Sequence, residues 1–170
     1  MLSVLWRLYN AVLIGCVGLS GLLIAAGILV VVVDVTLRAT GFQPFGFTVA
    51  FVEYVLLYFV LLSAPYLVRI KGHVTAEVLF SQLPAAARTV VEKAVYVLCI
   101  SVSLVFAYEG AVLFDEAIRY GYMDERSVDV PYWALYVLFP LCFSMIAIEF
   151  GRYLLGFDSM YAREEKLESM

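Results

Sequence analysis

Four long apolar runs alternate with short polar segments along the chain, at about 11–33, 48–68, 94–114 and 131–150. Each has the length of a helix that crosses a bilayer, for which about 20 residues are needed. The first, Ala11 to Val33, carries no charge. It exceeds the roughly 7 to 15 apolar residues of a secretory signal and is expected to remain as a span. The turn Gly41-Phe42-Gln43-Pro44-Phe45-Gly46 separates it from the second run, because glycine and proline interrupt helical periodicity. The second run is uncharged from Tyr54 to Val68, with Glu53 at one end and Arg69, Lys71 and His73 at the other. Pro65 removes a backbone donor within it, which predicts a kink near the basic end. The third run follows Pro84, with Arg88, Glu92 and Lys93 at its start and Glu109 toward its far end. The fourth follows Asp129-Val130-Pro131, which reads as an acidic cap before a first-turn proline.

Segment 74–83 is too short and too polar to span a membrane. Val78, Leu79, Phe80 and Leu83 fall on one side of a helix, so a short surface helix between helices 2 and 3 is expected. On helix 1, Gly18, Gly21 and Ala25 recur at i, i+3 and i+7, a small-residue face that lets another helix approach closely. Trp6, Arg69, Lys71, Trp133 and Arg152 stand at span ends, where amphipathic rings and cations anchor helices at the headgroups. The fold class is therefore an all-α membrane protein. Residues 1–170 form one integral membrane bundle of four transmembrane helices, with no stretch left for a separate soluble domain.

Composition agrees: 64% of residues are hydrophobic, against roughly 45 to 50% in soluble domains. The net charge of −4 matters less than its distribution. Arg7, Arg69, Lys71, Arg88, Lys93, Arg152, Arg163 and Lys166 lie on the side of the two termini and the helix 2 to 3 connection. Arg38, Arg119 and Arg126 lie opposite. The excess of basic residues marks the cytoplasmic side, so both termini are expected in the cytoplasm. Nothing in the charge pattern suggests nucleic acid. Membrane lipid is the surrounding partner.

Candidate chemistry is sparse. Cys16, Cys99 and Cys142 are far apart, lie in apolar runs and lack metal-ligand spacing. With His73 as the only histidine, a haem held by two histidines of this chain is excluded, and no cofactor is expected. Glu53 and Glu109 are the acids within the spans that a cation or proton pathway would use, although both lie near the outer helix ends, and Glu149 lies near the inner end of helix 4. An anchoring role is favoured, in which these acids meet Arg38, Arg119, a polar partner or the headgroup layer; an ion pair of Glu53 with Arg38 across the helix 1 to 2 connection is geometrically reasonable. These features point to an accessory or scaffold protein and not an enzyme. A redox or enzyme subunit sharing its active site with a partner, and an autonomous oligomeric carrier, remain as alternatives.

Several pieces recur in a recognisable order. Asp34-Val-Thr-Leu-Arg38 leaves helix 1, Glu53 opens helix 2, and Arg69-x-x-Gly72-His73-Val74 leaves it, with Leu83-Pro84 following. Pro131-x-Trp133-x-x-Tyr136-x-x-x-Pro140 forms helix 4. From Asp34 to Leu154 the chain resembles the small membrane subunit of the tripartite ATP-independent periplasmic (TRAP) transporters, the DctQ-like proteins. The resemblance implies an inner-membrane, four-helix partner of a large permease subunit in a sodium-driven symport of organic acids. It also implies that a periplasmic substrate-binding protein delivers the substrate to the assembled complex. Glu53 and His73 carry over as landmarks of that family without an assigned role, and the substrate itself is not specified.

Overall fold

The computed structural model describes residues 2–71 and 84–156. Its elements are helices α1 (Leu2–Ala39), α2 (Thr48–Arg69) and α3 (Ala85–Tyr120), then a hairpin of β1 (Met123–Glu125) and β2 (Asp129–Pro131), then α4 (Tyr132–Tyr136) and α5 (Leu138–Leu154). Among the described residues four stretches are long and apolar enough to cross a membrane: Trp6–Ala39, Thr48–Arg69, Thr89–Tyr120 and Tyr132–Leu154. The expected surface segment 74–83, His73 and the tail beyond Gly156 lie outside the described residues.

Two helices outrun their expected ends because charge alone does not stop a helix. Asp34 and Arg38 are four residues apart on one face, and no glycine follows until Gly41, so α1 continues past Val33 to Ala39. There Gly41 adopts φ +80° and donates to the carbonyl of Arg38, while Phe42 donates to Leu37, closing the helix end. Helix α3 likewise carries Asp115 and Arg119 as an i,i+4 pair and ends only at Gly121, whose φ of +64° few other residues adopt cheaply.

The acidic stretch after α3 is not a simple loop. Asp124 faces Val130 across an antiparallel hairpin, which places Asp129 in a strand and not at a helix cap; Pro131 is the residue that precedes α4. The α4–α5 boundary is a local interruption in one span. Pro140 has no N–H to offer the carbonyl of Tyr136, and Val137 between the two helices keeps helical angles. At the same level Tyr58 of α2 donates its hydroxyl to the carbonyl of Ala134 at 2.6 Å.

The helices pack in series: α1 against α2, α2 against α5, and α5 against α3. The core accordingly lies along α2 and α5. One cluster joins Val68, Tyr96, Ile146, Phe150 and Tyr153, and a second joins Leu61, Leu62 and Cys142. Two glycines permit the closest approaches. A Cβ on Gly27 would lie 3.1 Å from Val55, and one on Gly110 would lie 2.5 Å from the Cβ of Phe139. Helix α1 thus meets α2, and α3 meets the α4–α5 span, at glycine rather than at the Gly18 and Gly21 face. The outward faces of this row are rich in exposed Leu, Ile, Val and Phe, as contact with lipid or another membrane subunit requires.

Candidate functional site

Polar side chains gather at the two ends of the spans. At the end holding the α1–α2 turn, Asp34 is buried and fully engaged. Its Oδ1 accepts the backbone N–H of Phe45 at 2.9 Å and the hydroxyl of Thr48 at 3.0 Å, while Oδ2 accepts Nε–H of Arg38 at 2.8 Å. Thr48 is the first residue of α2, so one carboxylate ties the last turns of α1 to the turn and to the start of the next helix. It also places negative charge beside the positive end of α2, a favourable arrangement with the helix dipole.

Beside it, Glu53 pairs with Arg126 of the hairpin, and Arg126 also approaches Asp124 at 3.5 Å. Tyr54 donates its hydroxyl to Asp124 at 3.0 Å. The expected Glu53–Arg38 pair is therefore absent. Arg38 is held by Asp34 on its own helix, and the hairpin brings a different arginine over the start of α2. Glu53 and Arg126 remain half exposed, at 50% and 58%, so this contact is a surface one. Glu109 is exposed on α3 and makes no hydrogen bond or ion pair among the described residues. Arg119 pairs with Asp115 instead.

At the opposite end Glu149 has 0% exposure and two partners. Tyr9 of α1 donates to its Oε1 at 2.9 Å, and Arg152, one turn along α5, donates to Oε2 at 2.6 Å. Arg152 also stacks on Trp6, its guanidinium carbon 4.4 Å from the ring centroid, and Arg69 stacks on the same ring at 5.0 Å. Arg69 donates to Asn10 at 2.5 Å. Tyr153 donates to the carbonyls of Val68 and Arg69, at 2.8 and 3.1 Å, where α2 ends. The first turns of α1 thus reach across α2 to α5.

Three of the expected headgroup anchors, Trp6, Arg69 and Arg152, therefore form one cluster and are not independent. Lys71 is partly buried and takes φ +59° just beyond α2; Trp133 stands exposed on α4. Gly18, Gly21 and Ala25 face outward, and a Cβ on either glycine would meet nothing within 4 Å. The small-residue face is open among the described residues.

Sequence reasoning passed over Tyr9, Asn10, Tyr54, Asp124 and Tyr153 as binding partners. It placed Glu149 at a helix end without a function. The signal for Glu149 was present: it is the one acid in the fourth apolar run, with Arg152 three residues on. Nothing local marks Tyr9 as its partner, since that bond joins positions 140 residues apart.

The family model described as "Tripartite ATP-independent periplasmic transporters, DctQ component" matches residues 27–157. No curated protein and no solved structure matches the chain significantly. The matched region contains the Asp34 and Glu53 contacts, both close-approach glycines and Glu149. It leaves Trp6, Tyr9 and Asn10 outside.

Proposed function

Since the chain belongs to the DctQ component family of the tripartite ATP-independent periplasmic transporters, we propose that it is the small membrane subunit that braces a large permease subunit during sodium-driven uptake of an organic acid. A periplasmic binding protein supplies the substrate to the assembled complex. This chain performs no reaction of its own.

The observation that carries the bracing role is the serial helix row with its ion pairs and polar bonds at the span ends. Asp34 joins α1 to α2, Arg126 joins the hairpin to α2, and Glu149 joins α5 to α1. Such end-to-end ties stiffen a row of helices while leaving its apolar faces open to a partner. Gly18, Gly21 and Ala25 fit that reading as a place where a partner helix approaches closely. Glu53 and Glu109, exposed near span ends, serve as contacts at the membrane edge. They do not form a transport pathway.

The basic bias of the end holding Arg7, Arg69, Lys71, Lys93 and Arg152 supports cytoplasmic termini. The hairpin end then faces the periplasm, on the side where a binding protein docks.

Uptake into liposomes tests the proposal. Liposomes holding this chain together with the large subunit should accumulate substrate when the binding protein and an inward sodium gradient are supplied. The large subunit alone should transport poorly and be recovered in lower yield. Accumulation by this chain alone would establish an autonomous carrier and overturn the bracing role.

A further inference from the structure

We propose that the cluster around Trp6 is a binding site for one anionic phospholipid, with Arg69 and Arg152 donating to its phosphodiester and Trp6 holding both arginines in place. Trp6 begins the first candidate span, Arg69 ends the second and Arg152 lies near the end of the fourth, so the cluster stands at the membrane surface. Phospholipid phosphates lie at that level.

The two guanidiniums stack on a single indole, so their separation cannot exceed the sum of the 5.0 and 4.4 Å distances to its centroid. Each has five N–H donors in a fixed plane, suited to phosphate oxygens. Arg69 spends one nitrogen on Asn10, and Arg152 one on Glu149. Among the described residues no buried side-chain nitrogen lacks a partner. The Nε and Nη2 atoms of both arginines make no hydrogen bond to the described residues and are the donors left for an incoming acceptor.

Charge defines the ligand further. Arg69 and Arg152 against Glu149 leave one net positive charge, which matches a phosphodiester bearing one negative charge. Glu149 is 0% exposed and occupied by Tyr9 and Arg152, so no carboxylate of the cluster is accessible to a choline or ethanolamine ammonium. The site should favour phosphatidylglycerol over phosphatidylcholine. Exposed apolar surface continues along α1 beside it, where acyl chains would lie, which favours a lipid over a free anion.

The full chain carrying Trp133→Phe, which leaves Trp6 as the only tryptophan, should be titrated in neutral detergent with phosphatidylglycerol while its fluorescence is followed. Native mass spectrometry of the same samples counts the lipids retained. The expected result is saturation at one phosphatidylglycerol per chain and little response to phosphatidylcholine. Arg69→Gln, which spares the Glu149–Arg152 pair, should weaken binding about tenfold, the scale of a lost hydrogen bond to a charged group. Arg69→Lys keeps the charge without the planar fork, and should also bind more weakly; it serves as the second variant if Arg69→Gln folds poorly. Arg7→Gln should bind as the parent does, because Arg7 is exposed and outside the cluster. Equal binding of phosphatidylcholine, or equal weakening by Arg7→Gln, would reduce the effect to general surface attraction and overturn the proposal. Full competition by millimolar inorganic phosphate would overturn it in favour of a free-anion site.

Discussion

The hydroxyl of Tyr153 on α5 lies 2.8 Å from the carbonyl oxygen of Val68 and closes the end of α2. Val68 is 1% exposed and Tyr153 4%, so water is poorly placed to replace the bond. The tyrosine ring meanwhile stacks on Tyr96 of α3, with centroids 5.7 Å apart. One side chain thus links three helices at the basic end. Tyr153→Phe keeps the stacking and deletes the donor; the Val68 carbonyl still accepts the backbone N–H of Lys71, so the cost is that of one hydrogen bond, about 0.5 to 1.5 kcal/mol. Thermal unfolding of the purified chain in detergent should show a lower midpoint for Tyr153→Phe. An unchanged midpoint would mean that the end of α2 contributes little to the cooperative unit.

Glycine substitutions should separate internal packing from partner packing. A methyl group on Gly110 would stand 2.5 Å from the Cβ of Phe139 and 3.3 Å from the backbone nitrogen of Pro140, so main chain has to shift. Gly110→Ala should destabilise the isolated chain by about 1 to 3 kcal/mol through overpacking. Gly18→Leu and Gly21→Leu meet open space and should leave its unfolding midpoint close to that of the parent. If either also lowers recovery of the large subunit in co-purification, the Gly18 face is an interface. Normal recovery for both marks that face as lipid-facing.

The helices were legible in the sequence because membrane spans depend on local composition, and each observed span contains or closely overlaps an apolar run. Their ends were harder to read. Asp34 and Arg38 look like a stop signal until their i,i+4 pairing shows how a helix carries them onward. The hairpin was hidden because three-residue strands leave almost no periodic signal. The Glu53 partner was misread for a related reason. Arg38 is 15 positions away in sequence and Arg126 is 73, yet the fold of the hairpin, not chain distance, decides which arginine arrives. The small-residue pattern on α1 points outward, whereas the glycines that α1 and α3 use for internal packing, Gly27 and Gly110, stand alone and form no pattern.

The Asp34 contacts make a prediction about order of severity. Asp34→Ala removes acceptors for Phe45, Thr48 and Arg38 together, whereas Arg38→Gln removes one partner whose side chain is 57% exposed. In detergent, Asp34→Ala should lower the unfolding midpoint well below that of Arg38→Gln. Asp34→Asn should fall between them, since an amide oxygen still accepts from the turn but no longer attracts the guanidinium. Equal midpoints for all three would show that the α1–α2 turn is held by packing alone.

Orientation can be read with cysteines placed on exposed positions at the two ends. In a background with Cys16, Cys99 and Cys142 replaced by serine or alanine, Gln43→Cys and Glu125→Cys should react with a membrane-impermeant maleimide in spheroplasts of intact inner membrane. Leu155→Cys, exposed at the opposite end, should react only after permeabilisation. Labelling of Leu155→Cys before permeabilisation would reverse the proposed topology and remove the hairpin from the side proposed for binding-protein docking.

Glu53 provides the sharpest separation between a stabilising and an interface role. Its pair with Arg126 has both side chains about half exposed, and exposed ion pairs are worth only about 0 to 1 kcal/mol. Asp124 gives Arg126 a second carboxylate at 3.5 Å, which softens the loss further. Glu53→Leu and Glu53→Gln should therefore both leave the unfolding midpoint of the isolated chain nearly unchanged, with Arg126→Leu the more damaging because it releases two acids at once. Any strong effect of Glu53→Leu must then arise in the complex. Co-purification and sodium-driven uptake should be measured for Glu53→Leu, Glu53→Gln and Arg126→Leu beside the parent. A partner contact through Glu53 lowers recovery in Glu53→Leu and spares most of it in Glu53→Gln, because the amide oxygen still accepts. Loss of sodium coupling with the complex fully assembled would instead place Glu53 on an ion pathway, contrary to its position at the exposed start of α2.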